Sequence, residues 1–174
     1  MEKVIKKKID EIIRVNHAGE YGAQRIYSGQ IKFCKKDDLK KELKRIIKEE
    51  YEHYEFFNEE MINRRTRPTL LSPVWHYGGY FLGVFTSIIG EKYVHACTEA
   101  VEEVIVEHYE EQIKFLEQEG VENKLLKKIK KFRADEDDHR HFAENSNMRQ
   151  SGVKLFKRFT RELTKFAIKV SKKY

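Results

Sequence analysis

Apolar residues recur along most of this chain every three or four positions, the spacing of one face of an α-helix. Ile9, Ile13, Ala23, Tyr27 and Ile31 predict a first helix from about Val4 to Cys34. Leu39, Leu43, Ile46, Phe57 and Met61 predict a second, entered after Asp37-Asp38, which reads as an N-cap pair. Val94, Val101, Ile105, Tyr109 and Leu116 mark a third that Gly120 ends, and Leu125, Ile129, Phe132 and Ala143 a fourth that starts near Glu122. A last stripe after Gly152 sets Phe156, Phe159, Leu163, Phe166 and Val170 among Lys154, Lys157, Arg158, Arg161, Lys165, Lys169, Lys172 and Lys173. With two prolines in 174 residues and no Asn-Gly or Asp-Gly hairpin signal, the pattern predicts an all-α chain. Its length fits a single domain over 1–174.

Polar residues interrupt the stripes at regular places. Glu20 lies on the apolar face of the first helix, Glu50 and His53 on that of the second, Glu102 on that of the third, and Glu136 and His139 on that of the fourth. Glu50/His53 and Glu136/His139 are the two Glu-x-x-His pairs of the chain, each preceded some thirty residues upstream by a single glutamate. Residues at i and i+3 share a helix face, so four carboxylates point at apolar surface. An ionised carboxylate buried without a partner costs many kcal/mol. Two divalent cations would balance four carboxylates and two neutral imidazoles. One Glu from each of two helices and a Glu-x-x-His from each of two others is the ligand set of di-iron and di-manganese carboxylate bundles. Imidazole mixed with carboxylate suits iron or manganese better than calcium or structural zinc. The halves also match beyond the ligands: Tyr27 and Gln30 follow Glu20 at the spacing at which Tyr109 and Gln112 follow Glu102. A single such pair on a Lys/Glu-rich helix would more often be a solvated face, and a lone buried Glu a salt-bridge partner; the doubled set is what points to metal.

Segment 69–90 carries no charge and includes Leu70, Trp75, Tyr77, Tyr80, Phe81 and Phe85. Its length permits a transmembrane helix, but one crossing would put Glu20 and Glu50 on the opposite side from Glu102 and Glu136. The segment therefore reads as a crossover that lies on or dips into one leaflet, with a buried fifth helix as the alternative. Gly78, Gly79 and Gly83 allow a close helix contact or a bend, and the Trp and Tyr residues suit a membrane interface. The net charge of +6 and the basic amphipathic helix at 153–174 agree with a surface that meets anionic lipid; the alternative is a helix packed on the bundle with a solvated basic face. No nucleic-acid recognition motif accompanies the charge. Cys34 and Cys97 are in no metal or redox spacing and read as reduced structural thiols, and the N-terminus shows no secretory signal.

The segment RVNHAGEYGAQRIYSGQ, from Arg14 to Gln30, resembles the signature of the demethoxyubiquinone hydroxylases, ferritin-like di-iron monooxygenases of ubiquinone biosynthesis. The resemblance continues in RPTLLSPVWHYGGYFLG, ACTEAVEEVIVEHYEEQ and KKFRADEDDHRH, and so covers nearly the whole chain. It implies a ferritin-like four-helix bundle with a membrane-facing crossover helix and an additional C-terminal helix. Carried over by motif, the metal ligands are Glu20, Glu50, His53, Glu102, Glu136 and His139, with Glu102 rather than Glu103 chosen from the adjacent pair. Tyr109, with His108 beside it, is the catalytic candidate. Asn16 stands where many relatives carry Asp, as an amide able to hydrogen-bond a ligand histidine. His17, one turn before Glu20, either supports the site or is a satisfied core histidine. Tyr109 and Tyr27 alike either gate or hydrogen-bond in the site or are core residues, and His95 reads as structural.

The resemblance further implies two iron ions, O₂ as co-substrate, a polyprenyl quinol hydroxylated on its ring, and NADH as electron source, although the chain has no G-x-G-x-x-G fingerprint for that nucleotide. It implies partner proteins of ubiquinone biosynthesis and a peripheral place on the cytoplasmic face of a bacterial membrane, or the matrix face of the mitochondrial inner membrane. Self-association is left open. The rival readings are an iron-storage or peroxidase ferritin-like protein and a purely structural helical bundle.

Overall fold

The computed structural model describes residues 2–144 and 151–172. They form six α-helices: α1 (Glu2–Phe33), α2 (Asp37–Arg64), α3 (Ser72–Ile89), α4 (Glu91–Glu119), α5 (Asn123–Glu144) and α6 (Ser151–Ser171). The fold is all-helical, as the periodicity predicts, and the order of two helices, a crossover, two helices and a terminal helix is consistent with a ferritin-like bundle. Lys173 and Tyr174, the end of the expected last helix, lie outside the described residues. The chain divides into two compact units. One holds α1, α2, α3, α4 up to Val94, and α6 from Phe166; the other runs from His95 to Lys165.

In the first unit α2 folds back along α1. Asp10, near the start of α1, accepts a 3.0 Å hydrogen bond from Thr66, just past the end of α2. Ile9, Ile13, Tyr27, Leu39, Leu43, Ile46, Phe57 and Met61 are buried as expected, joined by Ile12 and Val15. The start of α2 differs from the sequence expectation. Lys36 occupies the N-cap, without a side-chain cap, and Asp37 and Asp38 fall inside the first turn. There they act on the exposed N–H groups through the helix dipole rather than by capping.

α3 packs on α1 through glycine. A Cβ on Gly83 would stand 2.0 Å from the Ile26 carbonyl oxygen, and one on Gly29 2.8 Å from the Val84 nitrogen. Ser87 donates a 2.9 Å hydrogen bond to the Gln30 carbonyl, and the Arg25 guanidinium lies 5.1 Å over the Tyr80 ring. Close contact is thus realised at Gly83 and at Gly79, whose Cβ would stand 2.9 Å from the Gly22 oxygen, while Gly78 meets nothing within 4 Å. Because the inner face of α3 is small, its large residues point outward: Val74, Tyr77, Phe81, Phe85 and Ile88 are all exposed. α3 is thus not a buried fifth helix. No described helix is long and apolar enough to cross a membrane.

In the second unit the core is Ala96, Cys97, Ala100, Val101, Val104, Tyr109 and Leu116 of α4 with Leu125, Ile129 and Phe132 of α5. Gly120, at φ +62°, takes the left-handed turn that ends α4. α6 meets α4 through two of its cations. Lys157 reaches Glu99 at 2.5 Å and Glu103 at 3.5 Å, and Arg161 reaches Glu107 at 2.6 Å. Leu155, Phe159 and Leu163 consequently face outward, as does Phe166 further along the helix. Lys154, Arg158, Lys165 and Lys169 are exposed as well, so the basic face is solvated in part, beside apolar residues that are also outward.

Candidate metal centre

The first unit brings three of the expected ligands together. Glu20 from α1 and Glu50 and His53 from α2 are 0–1% exposed. One ligand atom from each lies within 4.8 Å of the other two. His53 Nδ1 is 3.6 Å from Glu20 Oε2. Gln24, one turn beyond Glu20, donates through Nε2 to the Glu50 main-chain oxygen at 3.1 Å and so ties α1 to the ligand turn of α2. The second unit repeats the arrangement. Glu102 from α4 and Glu136 and His139 from α5 are fully buried, again with one ligand atom each within 4.8 Å of one another. His139 Nδ1 is 3.1 Å from Glu136 Oε2.

Each unit therefore holds two carboxylates and one imidazole in an apolar core. That is a charge of two if both acids are ionised, and a donor set that fits one divalent cation. In the absence of a cation the two carboxylates of each unit would repel across a few ångströms in a medium that screens poorly. The residues present thus fit a metal at each triad.

Glu103 is partly exposed and bridges toward Lys157 and Arg161, so the adjacent pair divides as expected, with Glu102 in the core. Tyr109 is buried two turns beyond Glu102, on the same face of α4. His108 lies off that face, its Nδ1 3.6 Å from the exposed Glu111 carboxylate. Tyr27 and Gln30 in one unit and Tyr109 and Gln112 in the other are all buried, so the internal match extends to the cores. Asn16 is buried, and His95 packs beside Phe142 with ring centroids 5.2 Å apart. Cys97 is buried and Cys34 half-buried, both as free thiols.

Sequence reasoning missed a second polar cluster in the first unit. His17 stacks on Tyr54 at 4.6 Å between centroids, and Tyr21 Oη lies 2.5 Å from His76 Nδ1 of α3. These residues line a cavity of about 400 Å³. Periodicity gives no sign of it, because His76 and Tyr54 sit beside their helices' apolar stripes. The only cue was one imidazole in an otherwise uncharged segment.

The fold and the paired triads define an all-helical carboxylate–imidazole protein whose buried clusters are compatible with metal binding. Residues 7–171 match the family model described as "Ubiquinone biosynthesis protein COQ7", and the chain belongs to that family. It is 41% identical over 141 residues to the mitochondrial NADPH-dependent 3-demethoxyubiquinone 3-hydroxylase of Rattus norvegicus, a match covering 80% of this chain and 65% of the relative. It is 39% identical over 144 residues to the 3-demethoxyubiquinol 3-hydroxylase of Rhodospirillum rubrum, covering 82% and 67%. With the mitochondrial 5-demethoxyubiquinone hydroxylase of Saccharomyces cerevisiae the identity is 43% over 110 residues, covering 62% and 47%. The chain thus spans somewhat under two thirds of the length of the mammalian relatives it matches.

Proposed function

We propose that this chain is an O₂-dependent di-iron monooxygenase that hydroxylates the ring of demethoxyubiquinol. The observation that carries the reading is the doubled triad. The same three ligand types, a lone Glu on one helix and a Glu-x-x-His on the next, are buried once in each unit. Glu20, Glu50, His53, Glu102, Glu136 and His139 would together hold two iron ions, with four carboxylates neutralising two divalent charges. Bound iron would supply the activation of O₂, which side chains cannot perform alone. The remaining residues hold that centre in place: Gln24 fixes the backbone at Glu50, and the glycine contact of α3 braces the helix that carries Glu20. Burial of all six ligands excludes bulk water, which strengthens each charge interaction within. Tyr109, on the buried face of Glu102, is the better placed of the two catalytic candidates, since His108 already lies beside Glu111. The substrate assignment rests on family membership and on the names of the relatives. The name of the Rattus norvegicus relative specifies NADPH where the motif resemblance implies NADH, so the electron source is assigned as a reduced nicotinamide nucleotide.

A polyprenyl quinol must be taken from lipid, and the exposed stripes of α3 and α6 give the chain two apolar faces for that purpose. We assign it a peripheral place on the cytoplasmic or matrix face of a membrane, working among other proteins of ubiquinone biosynthesis. Both units act as one domain in this reading.

Expression in a bacterial strain lacking its own demethoxyubiquinone hydroxylase tests the function. The wild-type chain should restore ubiquinone and lower the demethoxy intermediate, whereas Glu20→Ala and Glu102→Ala should not. An iron-loaded wild-type protein that leaves the intermediate unchanged would refute the assignment.

A further inference from the structure

The cavity between α1, α2 and α3 has no role in the metal chemistry described above. Its wall is built from aromatic rings in series: His17 against Tyr54, Tyr21 5.9 Å from both Tyr54 and His76, and His76 4.9 Å from Tyr77. Pro73 contributes to the rim. Its volume of about 400 Å³ lies in the range of small-molecule sites, about 300–1,000 Å³. That is room for one substituted six-membered ring and not for a long isoprenoid chain as well. One of its lining residues carries a buried polar atom without a partner. His17 is 8% exposed, and its Nδ1 makes no hydrogen bond, while the ring's other interaction is with the Asn58 side chain. Such an atom costs about 1–3 kcal/mol unless something pairs with it.

We propose that this cavity is a binding site for the oxygenated aromatic ring of a quinone or quinol, held against the rings of its wall and hydrogen-bonded at His17 Nδ1. The inference rests on the quinol reading above and adds a place for the ring. Flat aromatic walls favour a flat ligand, since ring pairs gain about 0.5–1.5 kcal/mol beyond area burial. Phenol and imidazole groups around the wall can donate to a carbonyl or accept from a hydroxyl. Burial holds the His17 imidazole below its ordinary pKa, with the Asn58 contact opposing, so the ring is neutral at physiological pH and does not select an anion. No lysine or arginine lines the cavity, which leaves the phosphates of a nicotinamide nucleotide without a counter-charge. The site lies beside the ligands in sequence: His17 is one turn before Glu20, Tyr21 follows Glu20, and Tyr54 follows His53. A ring seated here would wait one helical turn from the carboxylate of α1.

The single tryptophan, Trp75, adjoins His76 in α3 and reports the site. Its fluorescence is titrated with the tail-less ubiquinone ring, a dimethoxy-methyl-benzoquinone, in the iron-loaded full chain under argon. Decanol serves as competitor, and helical circular dichroism is recorded for every variant. Saturable quenching should appear, with decanol failing to displace it. His17→Leu should raise Kd about tenfold, the loss of one hydrogen bond to a neutral group, and the conservative Tyr54→Leu and His76→Leu, which each remove a ring of the wall, should raise it about three- to tenfold. Should His17→Leu fail to fold, the two conservative variants carry the test. Quenching that is linear, that decanol abolishes, or that all folded variants retain at wild-type affinity would overturn the proposal. Hydroxylation measured on the same preparations separates the two readings. Turnover without ring binding at the cavity removes this site alone, and ring binding without turnover removes the enzymatic assignment alone.

Discussion

Replacing Gly83 by alanine is a one-carbon change whose sign the structure decides. The added methyl would stand 2.0 Å from the carbonyl oxygen of Ile26, 2.9 Å from its carbon and 3.0 Å from the Gln30 nitrogen, against 3.4–4 Å for ordinary contact. All three are backbone atoms of α1 and cannot rotate aside, so α3 must retreat by more than an ångström. The retreat stretches the Ser87 hydrogen bond to Gln30, now 2.9 Å, and unseats Arg25 from Tyr80. Overpacking of this kind costs about 1–3 kcal/mol, and a strained hydrogen bond adds about 1. Alanine's higher helix propensity returns about 1 kcal/mol. The net expectation is a loss of about 1–3 kcal/mol, or about 3–10 °C in Tm for a chain of this size. Gly78→Ala on the same helix is the control. Its Cβ meets nothing within 4 Å, so only the propensity gain of about 1 kcal/mol remains and Tm should rise slightly. Thermal unfolding followed by circular dichroism compares the two. A Gly83→Ala protein as stable as wild type would refute the close packing of α3 on α1.

Three further outcomes follow from surfaces and burial. Leu155→Ser/Phe159→Ser/Phe166→Ser should weaken sedimentation with anionic liposomes at low and high salt alike, because apolar insertion is not screened; unchanged sedimentation would argue that the outward stripe of α6 meets something other than lipid. Lys157→Glu should destabilise by about 1 kcal/mol or less, since the pair with Glu99 is partly exposed, and the exchange Glu99→Lys/Lys157→Glu should recover much of the loss. Native protein should take up iodoacetamide at Cys34 while Cys97 resists, because burial, with Glu102 adding to it, pushes the Cys97 thiol well above its ordinary pKa; equal labelling of both would contradict the buried placement.

The parts of the fold that were legible share a cause. Leu43, Ile46 and Phe57 repeat with helical period because one face of α2 is buried, and Glu50 and His53 stood out because polar residues on that face need a reason to be there. Periodicity fixes which residues share a face but not which way the face points. In α6 two cations, Lys157 and Arg161, found Glu99, Glu103 and Glu107, spaced four apart along α4, while Phe159 and Phe166 were left outward beside exposed Lys154, Arg158, Lys165 and Lys169. The start of α2 was misplaced by two residues because Asp at the first turn and Asp at the cap look alike in sequence. The His17–Tyr54–Tyr21–His76 cluster was invisible because it is assembled from three helices at positions between their stripes.

Metal content per chain, measured on wild type and on single-ligand variants, tests the central claim most directly. Two triads sharing one dinuclear centre predict about two iron atoms per wild-type chain, and loss of most of both when Glu50 alone or Glu136 alone becomes alanine. If each triad instead held its own ion, Glu50→Ala would lose one iron and keep the other at full affinity. That result, or full retention in the Glu50→Ala/Glu136→Ala double variant, would contradict the shared centre.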